Sequence, residues 1–287
     1  MSRKRWDFFD YFNLILLTFL GILVIFPFYH TVVLSLTTEK EYMTNPDIMY
    51  PKVISFINYR YVFEYSTIFR SFLNSIIIVV AGVAYSMFLT VTMAYGFSKK
   101  SFPGKNLFMN LVIFTMFFSG GLIPFYLLVD DLHLRDTLAS VIIPFGLSVF
   151  NMVIMKNFFE QLPKEIEESA SIDGAGPVRT LVQILLPLVT PALATLSLFY
   201  AVDRWNEWFF SGLFIGKREL FPIQLILRDI LFSSNGNINI PQEAGIRSFS
   251  EGIKATSVVI VIVPIMMVYP FLQRYFVKGI VVGAIKS

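Results

Sequence analysis

No cysteine occurs among the 287 residues of this chain, and only two histidines do, His30 and His133. The absence of thiols excludes disulfides, thiolate metal sites and cysteine nucleophiles. Two imidazoles more than a hundred residues apart in sequence give little support for a histidine metal site or for histidine catalysis. We therefore expect no metal ligand and no catalytic residue, and we do not expect an enzyme.

Charged residues are also scarce, at 15% of the chain, whereas 55% is hydrophobic and the mean hydropathy is +0.67. Soluble domains are about a quarter charged, because a surface in water must be polar. Lipid is therefore the expected solvent. The net charge is +3, but the basic residues form short clusters at the ends of apolar runs. They do not form a continuous patch with interleaved aromatics, so we expect no nucleic-acid partner.

A membrane-spanning helix needs about 20 mostly apolar residues, and six stretches of the sequence reach that length. They are residues 12–36, 69–97, 107–129, 138–158, 191–214 and 256–276. The first stretch is too long to be a removable signal peptide, and it lacks a small-residue cleavage site in the right place. We expect an all-α membrane protein with six transmembrane helices in a single transmembrane domain, residues 1–287.

Basic residues in the short loops predict the orientation, because such residues stay on the cytoplasmic side. They precede the first span, lie between the second and third, and follow the sixth: Arg3, Lys4, Arg5, Lys99, Lys100, Lys105, Arg274, Lys278 and Lys286. Both termini are then cytoplasmic. Two long loops, residues 37–68 and 215–255, fall outside, where they either contact an external protein or pack on the outer surface.

The cytoplasmic segment between the fourth and fifth spans, residues 159–187, differs from the other loops. Pro163 suits a first helical turn, and Glu165, Glu167 and Glu168 lie near the end of a helix whose dipole favours anions. Gly174 and Gly176 permit a sharp reversal, and a second helix over residues 177–185 leads back to the membrane at Pro187. The segment predicts a helix-turn-helix able to insert one end into a groove on a soluble partner.

This segment also carries a family resemblance. The residues are Glu168-Ser169-Ala170, then Gly174 after three residues, Ile184 after nine more, and Leu186-Pro187. They resemble the EAA signature of importer permeases of the ATP-binding cassette class, with Ser169 in place of the usual first alanine. Asp173-Gly174-Ala175 resembles the corresponding residues of the carbohydrate-uptake branch of this class, and residues 205–209 resemble the fifth span of that branch. The ending, residues 273–286, resembles that of maltose-type permeases.

The resemblance implies a division of labour among several subunits of a bacterial inner-membrane importer. This chain would supply half of the pore, beside a second homologous permease, two ATPase subunits and an extracytoplasmic solute-binding protein. ATP and Mg would be bound by the ATPases, and no cofactor by this chain. Its own sequence agrees, because the nearest approach to a phosphate loop, residues 212–218, lacks the required spacing and the Ser or Thr. The implied ATPase-coupling residues are Glu165, Glu168, Ser169, Ala170, Asp173, Gly174 and Ala175.

Polar residues within a span are costly and usually face protein or water, so they are candidates for a substrate pathway. The fifth span is richest in them, with Tyr200, Asp203, Arg204, Trp205, Asn206 and Glu207; Ser119 and Gly120 in the third span are further candidates. Aromatic rings stack on sugars and amides bind hydroxyls. Alternatively, Asp203, Arg204 and Glu207 form an ion-pair network that fixes span five to a neighbour. The charged Asp203-Arg204 pair departs from the resembled family.

Two other functions compete with an importer subunit. In a proton-coupled secondary transporter, Asp203 and Glu207 would form the proton relay, but such a carrier has no need of a cytoplasmic helix-turn-helix. A membrane-embedded enzyme would need a catalytic constellation, and the sequence contains neither HExxH nor GxSxG. The resemblance implies an oligosaccharide substrate, and Arg204 is compatible with an acidic one.

Overall fold

The computed structural model describes residues 7–65, 67–99, 101–232 and 249–284, with side chains as far as Met267. In this part of the chain the regular elements are all helical. They are α1 (Phe8–Ser35), α2 (Glu39–Thr44), α3 (Ile57–Tyr65), α4 (Ile68–Ser98), α5 (Lys105–Phe117), α6 (Leu122–Asp131), a 3₁₀ turn (Leu138–Val141), α7 (Val149–Glu160), α8 (Lys164–Ile172), α9 (Pro177–Arg179), a π-helical turn (Thr180–Leu185), α10 (Leu186–Leu188), α11 (Thr190–Trp205), α12 (Phe209–Phe214), a 3₁₀ turn (Arg218–Leu220), α13 (Ile223–Phe232) and α14 (Ser250–Ala284). The prediction of an all-α fold is confirmed for these residues.

Three helices in the described residues are long and apolar enough to cross a membrane: α1, α4 and α14. Two further helix pairs are long and apolar enough only when each pair is taken together, and both bend sharply at a short break. The axes of α5 and α6 differ by 112°, and those of the 177–188 helix and α11 by 86°. The predicted third span is therefore bent at residues 118–121, where Gly121 has a φ of 93°. The predicted fifth span ends at Trp205, and α12 is a separate short helix.

The predicted fourth span, residues 138–158, is not one continuous helix. The 3₁₀ turn at its start is followed by non-helical backbone, and α7 begins only at Val149. Pro144 has no N–H to donate within a helical ladder, and Gly146 has a poor helix propensity, so the sequence favours the interruption. Hydropathy alone missed it, because the residues of the break are as apolar as those of a helix.

The chain divides into two compact units. One comprises the described residues up to Ile68, α13 from Leu227 and α14 as far as Val263. Its polar centre is Asn58, whose side-chain amide donates to the carbonyls of Ser35 at 3.1 Å and Thr37 at 3.0 Å. Nearly all of α1 is exposed, as expected of a helix whose solvent is lipid.

The other unit comprises the described residues from Phe69 to Ile226 and α14 from Pro264. Its main core contains Ala94 of α4, Met152 and Met155 of α7, Leu185 of the π-helical turn and Leu196 of α11, all with no exposed surface. A second cluster contains Ile78, Val129, Val141 and Phe214. Close packing thus joins the helix-turn-helix segment to the membrane helices on either side of it.

Candidate functional site

The first candidate site is the helix-turn-helix between α7 and α11. Its first helix, α8, begins after Pro163 and has Glu165 and Glu167 in its first turn, as predicted. It ends in a Schellman motif: Gly174 N donates to Ser171 O at 3.1 Å, and Ala175 N donates to Ala170 O at 2.9 Å. Gly174 has a φ of 76°, which other residues adopt only at a steric cost. The predicted reversal at Gly174 is confirmed.

The second helix of this segment is less regular than predicted. It runs from Pro177 to Leu188, but residues 180–185 form a π-helical turn. The amide of Leu186 donates to Leu181 O, five residues back. Pro187 follows at once and has no N–H to continue the ordinary four-residue ladder. The change in register therefore directs the chain toward α11 immediately before the bend.

The two faces of α8 differ in burial. Ala170 is buried and Ile166 packs on the core, whereas the predicted coupling residues Glu165, Glu168, Ser169, Asp173 and Gly174 are exposed and Ala175 is half-buried. Two apolar side chains at the tip are also bare, Ile172 at 86% exposure and Val178 at 75%. They were absent from the predicted set. Their signal was available, since Ile172 lies about 200° around the helix from Ala170.

The second candidate site surrounds Arg204, which is 3% exposed. Its guanidinium donates to Val141 O at 3.2 Å and to Phe145 O, and it lies 5.7 Å from the Phe145 ring centroid. Gly82 of α4 makes room for it, because a Cβ there would lie 3.1 Å from Arg204 Nε. The partners of this cation are two backbone carbonyls beside the break in the fourth span and, at 3.5 Å, Ser86 Oγ of α4.

The predicted ion-pair network is not formed by the described side chains. Asp203 is exposed, and Arg204 has no carboxylate within ion-pair distance. Glu207 Oε1 instead accepts from the backbone amides of Phe210 at 2.6 Å and Ser211 at 3.1 Å. This carboxylate caps the start of α12. The error came from proximity in sequence, since Asp203 is rotated about 100° from Arg204 on the helix.

Tyr200, one turn before Arg204 on α11, contacts the other end of the break. Its hydroxyl accepts from Ser148 N at 3.0 Å and is hydrogen-bonded to Thr90 Oγ1 at 2.7 Å. Ser148 in turn caps α7. Tyr200 and Arg204 thus hold the two sides of the non-helical residues 142–148. Backbone of this kind is tolerated at membrane depth only where protein or water satisfies it.

The remaining pathway candidates lie on other surfaces. Trp205 is buried and packs edge-on against Phe72, with ring centroids 5.7 Å apart. It borders a cavity of about 280 Å³ whose lining is almost wholly apolar, so that cavity offers little to sugar hydroxyls. Asn206 is exposed. Ser119 and Gly120 are exposed at the bend between α5 and α6.

The described residues combine three long apolar helices, two sharply bent helix pairs and a helix-turn-helix between α7 and α11, which is the architecture expected of a multi-pass membrane protein. Residues 86–282 match the family described as binding-protein-dependent transport system inner membrane component. The chain belongs to this family, which confirms the resemblance seen in the sequence. It is therefore a permease of the inner membrane and not an enzyme. Nothing in the family supports the alternative of a proton-coupled carrier.

Relatives match over the whole length of the chain. It is 42% identical to Protein LplC of Bacillus subtilis (strain 168), covering 100% of this chain and 97% of that protein. It is 39% identical to the polygalacturonan/rhamnogalacturonan transport system permease protein YtcP of the same organism, with 100% of both covered. In structure it resembles a chain of a bacterial ABC transporter involved in the import of the acidic polysaccharide alginate. That match has a TM-score of 0.89 and 31% identity, and covers 96% of this chain and 99% of the other.

Proposed function

We propose that this chain is a pore-forming permease subunit of an ATP-driven, binding-protein-dependent oligosaccharide importer. The observation that carries the proposal is the tip of the helix-turn-helix. Ile172, at 86% exposure, and Val178, at 75%, are apolar side chains on either side of the turn, and the Schellman motif at Gly174 fixes the turn between them. Burial of two apolar side chains in a partner's groove would contribute about 1.5–3 kcal/mol each. The partner with such a groove is an ATPase subunit.

The full assembly we propose has a second homologous permease, two ATPases that bind ATP and Mg, and an extracytoplasmic solute-binding protein. Residues 159–187 form the EAA-type coupling loop, with both termini on the same cytoplasmic side. The interrupted run 138–158 crosses the membrane as one of six spans of a single domain, residues 1–287. Loops 37–68 and 215–255 are external, and residues 233–248 of the second loop lie outside the described part of the chain.

The mechanism is alternating access without covalent chemistry on this chain. ATP closes the ATPase dimer, and the coupling helix α8 follows its groove. The membrane spans then rock to open the substrate pathway toward the binding protein, and ADP release reverses the movement. A ligand can shift such an equilibrium only by its differential affinity for the two states. Coupling therefore requires a rigid docking element, and Ala170, buried in the core, holds α8 to the spans.

The substrate we propose is an acidic oligosaccharide. Two relatives support it: one is a polygalacturonan and rhamnogalacturonan permease and the other belongs to an alginate importer. Arg204 does not supply the recognition, because it is only 3% exposed and its guanidinium donates to the carbonyls of Val141 and Phe145 and to Ser86 Oγ. Among the pathway candidates, exposed Asp203 and Asn206 and half-buried Glu207 remain open to substrate.

Uptake by the purified complex in lipid vesicles tests this function. Labelled acidic and neutral oligosaccharides of matched length would be offered with and without ATP and the binding protein. We expect uptake of the acidic sugar only when ATP, ATPases and binding protein are all present. Uptake by this chain alone, driven by a proton gradient, would contradict the proposal. Equal uptake of both sugars would contradict only the assignment of an acidic substrate.

A further inference from the structure

The end of α4 contacts both helices of the helix-turn-helix. Lys99, just after α4, forms an ion pair with Glu167 of α8. Its ammonium also lies 3.9 Å from the ring centroid of Tyr95, and the Tyr95 hydroxyl donates to Pro177 O at 3.4 Å. Lys99 and Glu167 are only 27% and 34% exposed, so this pair is less screened by water than a surface ion pair.

The opposite end of α4 is held by side-chain hydrogen bonds to another segment. The Asn74 side-chain amide donates to Glu219 O at 2.9 Å and to Phe221 O at 3.2 Å. Ser75 Oγ accepts from Ile223 N at 2.8 Å. Both side chains are buried, and the segment they hold follows α12, on the side of the membrane opposite the helix-turn-helix in the proposed orientation. Two contact sets thus fix the two ends of one helix.

Between them α4 is continuous. It has 31 residues and no proline, which at 1.5 Å per residue gives a length of about 46 Å. From Phe69 to Ile226, within the described residues, it is the one unbroken helix long enough to cross a membrane. The α5–α6 pair, the run 138–158 and the pair formed by the 177–188 helix and α11 are each bent or interrupted. A movement at one end of α4 therefore reaches the other end with little loss.

We propose that α4 is the rod that carries movement of the helix-turn-helix across the membrane. Lys99 and Tyr95 are positioning residues at its driven end, and Asn74 and Ser75 attach the driven segment, residues 219–223. The inference rests on the proposed function, since it takes the helix-turn-helix to be the part that the ATPases move. It adds which span receives that movement and which contacts deliver it.

Charge reversal at the Lys99–Glu167 pair tests the driven end. Lys99→Glu, Glu167→Lys and the double reversal would be compared in the complete reconstituted complex by the amount of sugar imported per ATP hydrolysed. Each single change should lower this ratio about tenfold, the factor that corresponds to about 1.4 kcal/mol. The double reversal should restore it to within about twofold, because it recreates the pair. Co-purification of all subunits would show that assembly is intact.

Lys105→Glu is the matched control. It breaks an ion pair to Glu160 at the same end of the unit, with comparable exposures of 22% and 35%. Glu160 is the last residue of α7 and keeps a second ion pair to Lys156, and neither Lys105 nor Glu160 lies on α8 or α9. It should leave the ratio close to that of the unchanged chain. Three results would each overturn the proposal that α4 carries the movement: normal ratios in both single reversals, failure of the double reversal to restore the ratio, or an equal loss in the control.

A distance measurement at the far end separates transmission from mere stability. Because the chain has no cysteine, Phe69→Cys and Leu132→Cys place the only thiols of this chain at exposed positions in one unit. The distance between spin labels there should shift when ATP binds and stay fixed once Lys99→Glu is added. An equal shift with and without that change would refute the rod. Gly174→Asp, assayed in parallel, tests docking itself: if it uncouples and Lys99→Glu does not, only the rod fails.

Discussion

Removal of the Arg204 side chain should weaken the fold and lower transport without regard to substrate charge. The guanidinium donates to Val141 O and Phe145 O in a buried site. Charge-assisted hydrogen bonds contribute about 1.5–3 kcal/mol each in soluble proteins, whereas interhelical bonds within membranes average about 0.6 kcal/mol. Two such bonds bracket the loss in Arg204→Ala between about 1 and 6 kcal/mol.

The assay pairs thermal unfolding of the purified complex with uptake of an acidic and a neutral oligosaccharide. Arg204→Ala should lower the unfolding midpoint and reduce both uptake rates in the same proportion, because the break at residues 142–148 loses its support. Arg204→Lys keeps the charge but has fewer directed donors, so it should fall between. Asp203→Asn, at the exposed neighbouring position, is the matched control and should retain the stability of the unchanged chain. Unchanged stability with selective loss of acidic uptake in Arg204→Ala would refute this reasoning.

Three further expectations follow from other contacts. Tyr200→Phe deletes the hydroxyl that accepts from Ser148 N and should destabilise the complex by about 0.5–1.5 kcal/mol in chemical unfolding; an unchanged midpoint would count against this contact. The Gly216 amide donates to Asp136 Oδ1 at 2.6 Å and lowers the pKa of that carboxyl in the folded protein. The ionised carboxylate therefore stabilises the fold fully above its ordinary pKa of 3.8, and this stabilisation is lost as the pH falls through the lowered folded-state pKa. Asp136→Asn should remove that part of the acid dependence of unfolding, and an identical profile would be contrary to it. Ile172→Asp should reduce the ATPase recovered on co-purification while the second permease is retained; full ATPase recovery would argue against docking at the tip.

The local parts of the fold were predictable from the sequence. Helix α8 and the turn at Gly174 depend on residues within a few positions of each other, so capping, dipole and glycine arguments apply directly. The family resemblance in residues 168–187 rested on the same segment. The π-helical turn before Pro187 was not predicted, because a proline indicates a disturbance of the helix but not which hydrogen-bond register replaces it.

The break in the fourth span was beyond local reasoning. Pro144 and Gly146 were visible signals, yet their run is apolar enough to suggest a straight helix. The groups that stabilise the break, Arg204 and Tyr200, come from α11, more than fifty residues further along the chain. Backbone carbonyls have no signature in sequence, so a buried cation was assigned to the carboxylates nearest to it. The sequence left two alternatives open for Arg204, a substrate contact or an ion pair, and the tertiary contacts of the described residues show neither.

The most direct test of the central claim, that residues 159–187 dock the ATPases and transmit their work, compares aspartate at two glycines of the turn. Gly174 has a φ of 76°, whereas Gly176 has a φ of −71° and is the N-cap of α9, a position that suits aspartate. A Cβ added at either glycine would have no heavy atom within 4 Å outside its own residue and the two next to it in the chain, and the strain at Gly174 costs about 1–2 kcal/mol. Gly174→Asp should abolish sugar-stimulated ATP hydrolysis and uptake together, with membrane insertion and external sugar binding intact, while Gly176→Asp stays near normal. Normal coupling in Gly174→Asp would contradict the account.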